Sequence, residues 1–190
     1  SASGVLSTMS YDSRNRLTTQ TYGGPGGDYK SFVYDSLDRI TNKSYNGSST
    51  RAASYVYDKE GLLGVIKDYS QNRRTTYIYD MAGRPVEIRT SANADSCDGA
   101  EWLKQKFTYE SSANRLSTAQ LFIGGAAQPV TQLVYGKLST GQMPDTVYKV
   151  MQGGADSLSY AYDALGRRTR RLISTGYNGI AVITQYSYMN

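Results

Sequence analysis

Large side chains recur along the chain in pairs two residues apart, the second always a tyrosine: Met9 and Tyr11, Phe32 and Tyr34, Tyr55 and Tyr57, Tyr77 and Tyr79, Phe107 and Tyr109, Leu133 and Tyr135, Tyr160 and Tyr162, Tyr186 and Tyr188. Residues i and i+2 of a strand share a face, so each pair predicts the bulky, core-forming end of a strand. Successive tyrosines lie 23, 23, 22, 30, 26, 27 and 26 residues apart, the spacing of a repeated supersecondary unit.

The residues directly after each tyrosine predict a turn. Aspartate comes next in five copies (Asp12, Asp35, Asp58, Asp80 and Asp163), glutamate in the Tyr109-Glu110 copy, and Gly136 or Met189 in two degenerate ones. Four residues after the tyrosine stand Asn15, Asp38, Gly61, Gly83 and Gly166, all residue types that tolerate a positive φ. A type I turn closed by a left-handed residue in a bulge fits this spacing, with the aspartate at the first turn position, accepting from backbone N–H groups two residues on. The Tyr109-Glu110 copy reaches its equivalent, Asn114, one residue late, as a one-residue insertion would require. Next comes Arg16, Arg39, Arg84, Arg115 or Arg167, whereas the third copy has Leu62-Leu63. A second strand then runs outward, as over Leu62 to Tyr69 or Arg167 to Ser174, into a link such as Tyr45-Asn46-Gly47-Ser48-Ser49. Each repeat therefore predicts one β-hairpin.

The stretches Tyr77-Ile78-Tyr79-Asp80-Met81-Ala82-Gly83-Arg84 and Tyr160-Ala161-Tyr162-Asp163-Ala164-Leu165-Gly166-Arg167 resemble the RHS or YD repeat of bacterial polymorphic toxins, toxin-complex subunits and teneurins. The resemblance covers nearly the whole chain. It implies an all-β fold in which antiparallel hairpins join edge to edge in a curved, spiralling strip, and a non-enzymatic role in a shell around a toxin or other cargo domain. It implies a secreted or cell-surface setting, with the rest of a longer RHS protein or its cargo as partner. A carbohydrate- or cell-surface-binding module is the alternative.

Residues 1–190 thus predict a single array of about eight hairpins. The corresponding ~16 strands at ~4.8 Å give a strip of roughly 77 Å. Closed into one ring it would be only about 25 Å across, too narrow for a container. Because the repeat pattern starts and stops part-way, the expectation is a segment of a longer protein, with edge-to-edge self-association as the other outcome of unpaired sheet edges.

Composition supports the strand reading. The chain has 18 Tyr and 19 Gly against 3 Phe, 1 Trp and 4 Pro, and tyrosine suits thin sheets because its ring can be covered while its hydroxyl stays bonded. Mean hydropathy is −0.52, and neither a membrane span nor an apolar leader stretch near Ser1 is expected. No His and a single Cys, Cys97, remove the commonest proton-transfer and metal-ligating groups and any internal disulfide; no enzyme activity, cofactor or metal is expected. The net charge of +5 is scattered and predicts no nucleic-acid patch.

The interval of 30 contains an inserted loop at 91–105 with the only Trp, and a short helix is expected over Gly99 to Lys104. Asp95, Asp98 and Glu101 offer hard oxygens but not at EF-hand spacing. For contact with a glycan or a surface protein the candidates are Trp102, Arg73, Arg74 and Arg170. Asp12, Asn15, Asp35, Asp38, Asp58, Gly61, Asp80, Gly83, Asn114, Asp163 and Gly166 are read as turn-makers.

Overall fold

The computed structural model describes residues 7–23, 26–95, 101–111, 114–136, 147–152, 155–174 and 181–188. Every regular element among them is a β-strand. The chain divides into two units, Ser1–Leu103 and Lys104–Asn190.

The first unit holds β1 (Ser7–Tyr11), β2 (Leu17–Tyr22), β3 (Tyr29–Tyr34), β4 (Ile40–Tyr45), β5 (Ser48–Tyr57), β6 (Leu63–Asp68), β7 (Arg73–Tyr79) and β8 (Pro85–Ala92). Each pairs antiparallel with the next, so the unit is a meander whose spatial order is its chain order. The unit boundary falls within β9 (Glu101–Tyr109). The second unit continues with β10 (Leu116–Ile123), the two-residue β11 (Ala126–Ala127), β12 (Thr131–Tyr135), β13 (Val147–Gln152), β14 (Ala155–Tyr162), β15 (Arg168–Ser174) and β16 (Ala181–Gln185). Here β12 pairs with β10, β11 folds back on β10, and β12 to β16 pair in succession.

Seven of the eight repeat tyrosines are the last residue of a strand, at the ends of β1, β3, β5, β7, β9, β12 and β14; Tyr188 follows β16. In six hairpins the register shifts at that tyrosine, as between Val33 and Tyr34, where Val33 faces Asn42 but Tyr34 faces Ile40. In five of them, those after Tyr11, Tyr34, Tyr57, Tyr79 and Tyr162, the shift is the bulge demanded by a left-handed residue after a type I turn: Asn15 (φ 61°), Asp38 (63°), Gly61 (89°), Gly83 (75°) or Gly166 (78°). Asn114 (55°) takes the same conformation in the longer turn after Tyr109.

The links are tighter than their composition suggests. Between β4 and β5 only Asn46 and Gly47 stand outside the strands, both with positive φ, the conformation of a two-residue type I′ hairpin. A Cβ at Gly47 would lie 2.8 Å from the Tyr29 hydroxyl, so the tip of that ring would have to move aside. The segment following β8 corrects the helix expected over Gly99 to Lys104: Glu101 to Lys104 are strand, and Gly99 lies outside the described residues, as do Cys97 and Asp98. Residues Glu101, Leu103 and Lys104 have good intrinsic helix propensity, but that preference is worth only tenths of a kcal/mol per residue and sheet pairing outweighs it.

Neither unit has a conventional core. Among the described residues the only buried hydrophobic side chains are Ala52 and Ala94, and no large side chain is fully buried. Cross-strand pairs such as Tyr55 with Ile66 and Tyr77 with Ile88 cover each other on one face, leaving most strand residues half-buried.

Gly83→Ala is expected to destabilise the chain by about 1 kcal/mol, because alanine is strained at positive φ, and Gly83→Asn by less. Urea unfolding followed by far-UV circular dichroism measures both. The Cβ itself would sit 3.6 Å from Leu62, in ordinary contact, so a clash would not explain the loss.

Candidate functional site: the turn ladder

The functional geometry of this chain is concentrated at its tyrosine-aspartate turns. In the first turn the backbone N–H of Asn15 donates to the Asp12 carbonyl at 3.0 Å, and that of Asp12 to the Arg16 carbonyl at 3.0 Å. The Asp12 carboxylate fills the loop: Oδ1 accepts from the backbone N–H groups of Arg14 and Arg16, each at 2.9 Å, and Oδ2 from Arg16 Nε at 2.7 Å. Asp35 repeats the set with Leu37 N at 2.9 Å, Arg39 N at 3.0 Å and Arg39 Nε at 2.8 Å. Asp80 does so with Ala82 and Arg84, and Asp163 with Leu165 and Arg167. In the longer turn after Tyr109, Glu110 takes the aspartate's place and accepts from Arg115 Nε at 3.0 Å. Asp58 is the exception: among the described residues its carboxylate accepts from Leu62 N alone, at 2.7 Å.

These contacts hold four carboxyls below their ordinary value of 3.8. For Asp12 and Asp35 the leading cause is the backbone N–H of Arg16 or Arg39, and for Asp80 the guanidinium of Arg84. At Asp163 partial desolvation pulls upward, and the Arg167 guanidinium and backbone bonds outweigh it.

The same arginines reach into the next repeat. Arg16 lies over the Tyr34 ring at 4.8 Å, Arg39 over Tyr57 at 4.4 Å, Arg115 over Tyr135 at 4.3 Å and Arg167 over Tyr188 at 4.7 Å. The repeat tyrosines bond back, each hydroxyl donating to a carbonyl in the preceding repeat: Tyr34 to Leu17 at 2.8 Å, Tyr57 to Ile40 at 2.9 Å, Tyr79 to Leu63 at 2.9 Å, Tyr135 to Leu116 at 2.9 Å, Tyr162 to Val147 at 2.8 Å and Tyr188 to Arg168 at 2.7 Å. The chemistry is that of a clamp. An anion orders the turn, a cation neutralises it, the cation's flat face covers a ring, and the phenol closes the junction.

Three of the four proposed contact residues, Arg73, Arg74 and Trp102, lie in the first unit. Arg73 lies over the Trp102 indole at 4.9 Å, and Trp102 is 38% exposed. Arg74 is the next residue of β7 and alternation sends it to the opposite face, while Arg170 belongs to β15 of the second unit. The oxygens considered for a cation are engaged by protein groups: Asp95 Oδ1 accepts from Lys67 Nζ at 3.2 Å and the Tyr69 hydroxyl at 3.1 Å, and Glu101 stands 3.7 Å from Arg89. The hydroxyl bonds and arginine stacking were not read from the sequence; the signal was the recurrence of an arginine directly after the left-handed turn residue, as in Asn15-Arg16, Asp38-Arg39, Gly83-Arg84, Asn114-Arg115 and Gly166-Arg167.

No family model and no curated protein matches the chain. The fold is nevertheless that of long stretches in known structures. The chain is similar to part of the crystal structure of TcdB2-TccC3-Cdc42 (TM-score 0.77, 14% identity, 97% of this chain), and to parts of those of TcdB2-TccC3-TEV (0.71, 15%, 95%) and TcdB2-TccC3 (0.70, 15%, 97%). In each case it spans about a tenth of the length of the chain it matches, 10%.

Two outcomes test the ladder. Tyr57→Phe, which removes only the bond to Ile40, is expected to cost about 1 kcal/mol in urea unfolding. The depressed carboxyls stabilise the fold fully above their unfolded values and lose that contribution as pH falls through the lower folded ones, so stability should decline below about pH 4. In a pH series of urea midpoints, the deficit of Asp35→Asn relative to the unaltered chain should be present at pH 6 and close in strong acid.

Proposed function

We propose that residues 1–190 are a structural segment of an RHS-type β-shell, part of a longer secreted or cell-surface protein of the toxin-complex kind, and that the segment helps to enclose or present a cargo domain without catalysing a reaction. The observation that carries this reading is the location of the stabilising contacts. They lie within hairpins and at the junctions between hairpins, so the sheet can lengthen by adding repeats without any change to the existing ones. The similarity to about a tenth of much longer chains supports it. The mechanism is physical. A continuous hydrogen-bonded sheet, its turns stapled by carboxylate, guanidinium and phenol, separates what lies on one face from solvent and proteases on the other. In this reading the aspartates of the ladder act as turn ligands rather than as acids or bases.

A shell segment presents sheet edges that its neighbours would cover. All five residues of β1 are exposed, and β1 is hydrogen-bonded on one side only among the described residues. Light scattering on the isolated chain over a concentration series is expected to show mass rising above 20.9 kDa as these edges find one another. A constant 20.9 kDa would overturn the segment reading in favour of a free-standing binding module.

A further inference from the structure

The junction between the third and fourth turns departs from the others in one residue. Where the turns after Tyr11, Tyr34, Tyr79, Tyr109 and Tyr162 carry Arg16, Arg39, Arg84, Arg115 and Arg167, the third carries Leu62. The rest of the receiving geometry is present. Asp58 opens the turn and accepts from Leu62 N at 2.7 Å, and the Tyr79 hydroxyl donates to the Leu63 carbonyl at 2.9 Å. Leu62 follows the course of the arginine stem, for it ends 3.6 Å from where a Cβ would stand on Gly83, as Arg39 ends 3.4 Å from the corresponding point on Gly61.

What leucine lacks is the guanidinium. The two groups that it would serve are left without one: the Asp58 carboxylate, which no side-chain donor reaches among the described residues, and the Tyr79 ring. Asp58 is exposed, whereas Asp12, Asp35, Asp80 and Asp163 are half-covered. The Tyr79 hydroxyl is held above its ordinary value by partial desolvation first, then by the fields of Tyr77 and Asp58, as a ring facing an uncompensated carboxylate would be. A groove of about 760 Å³ opens at this junction, lined by Leu62, Tyr77, Tyr79 and Met81 with Asp58 and Glu60 among its polar groups. Lys59 pairs with Glu60 at 3.4 Å, which leaves Asp58 as the carboxylate to be met.

We propose that this groove docks an arginine side chain presented by a partner polypeptide, its guanidinium lying on the Tyr79 ring and bonding to the Asp58 carboxylate, as the chain's own arginines do at the other turns. The fit is specific in its chemistry. A planar fork meets a carboxylate and a ring at once, where an ammonium meets them only as a point charge. The aliphatic stem finds Leu62 and the fully exposed Met81 to cover it. The inference rests on the turn geometry and is independent of whether the chain belongs to a shell.

The test is a nuclear magnetic resonance titration of the chain with capped Ala-Arg-Ala, followed at the Tyr79 ring and the Gly83 amide. Saturable shifts confined to the groove are expected, with capped Ala-citrulline-Ala, the neutral isostere, binding at least about tenfold more weakly. Leu62→Arg supplies the guanidinium from within and should abolish the shifts. Asp58→Asn should weaken binding several-fold while leaving the Tyr79 hydroxyl bond in place. Equal response to the citrulline peptide, or an unchanged titration in the Leu62→Arg chain, would overturn the proposal. Shifts at the groove that depend on protein concentration without peptide would overturn the partner as occupant, since a second copy would then fill it.

Discussion

An arginine held between the aspartate of its own turn and the tyrosine of the next is the contact on which the rest of this structure depends. Strands that touch only their sheet neighbours, as the described ones do, cannot draw on a dry interior, and among the described residues only Ala52 and Ala94 are buried apolar side chains. Apolar area removed from water, ordinarily the largest source of stability, is therefore spread thinly over half-covered tyrosines and aliphatic residues. What fixes one hairpin against the next is directional: a guanidinium 4.4 Å from a ring and a phenol 2.9 Å from a carbonyl, as at Arg39, Tyr57 and Ile40. Directional contacts define register more sharply than apolar ones, and register is the property that a strip of near-identical strands most easily loses.

The turn and the junction reinforce each other. Bonding from Arg16 Nε to Asp12 fixes the guanidinium plane, which sets that plane over Tyr34; the tyrosine, tied to the Leu17 carbonyl, returns to the strand that Arg16 introduces. Because the loop of contacts closes over one junction, each repeat contributes locally, as expected of a quasi-one-dimensional array. Loss of one arginine should loosen one joint and leave its neighbours intact. Leu62 shows that the sequence tolerates such a joint: the phenol bond of Tyr79 survives there while the ionic half of the clamp is gone.

The turns were legible in the sequence because positive φ restricts residue choice at a fixed offset from the tyrosine. Asn15, Asp38, Gly61, Gly83, Asn114 and Gly166 all stand in that conformation. The strands were legible from alternation. The junctions were not, because Tyr57 and Ile40 are 17 residues apart, and which carbonyl a phenol reaches depends on register and bulge rather than on composition. The stretch Glu101 to Lys104 misled for a related reason. Its residues favour a helix locally, and only the strand on which Trp102 meets Arg73 overrides them.

The choice of residue at the left-handed position is coupled to the preceding repeat. Asp38 accepts the strain of positive φ, and in return its carboxylate receives Arg16 at 2.7 Å and Arg14 at 3.1 Å from the turn before, while Arg16 also reaches the Asp35 carbonyl at 3.1 Å. Gly61 instead leaves space for Arg39, and Gly83 for Leu62. Aspartate is thus tolerable where an arginine arrives with a free nitrogen, and would be unfavourable at Gly83, where a carboxylate would face the methyl groups of Leu62 with no cation to offset its desolvation. Two positions more than twenty residues apart, such as Arg16 and Asp38, therefore have to be read together.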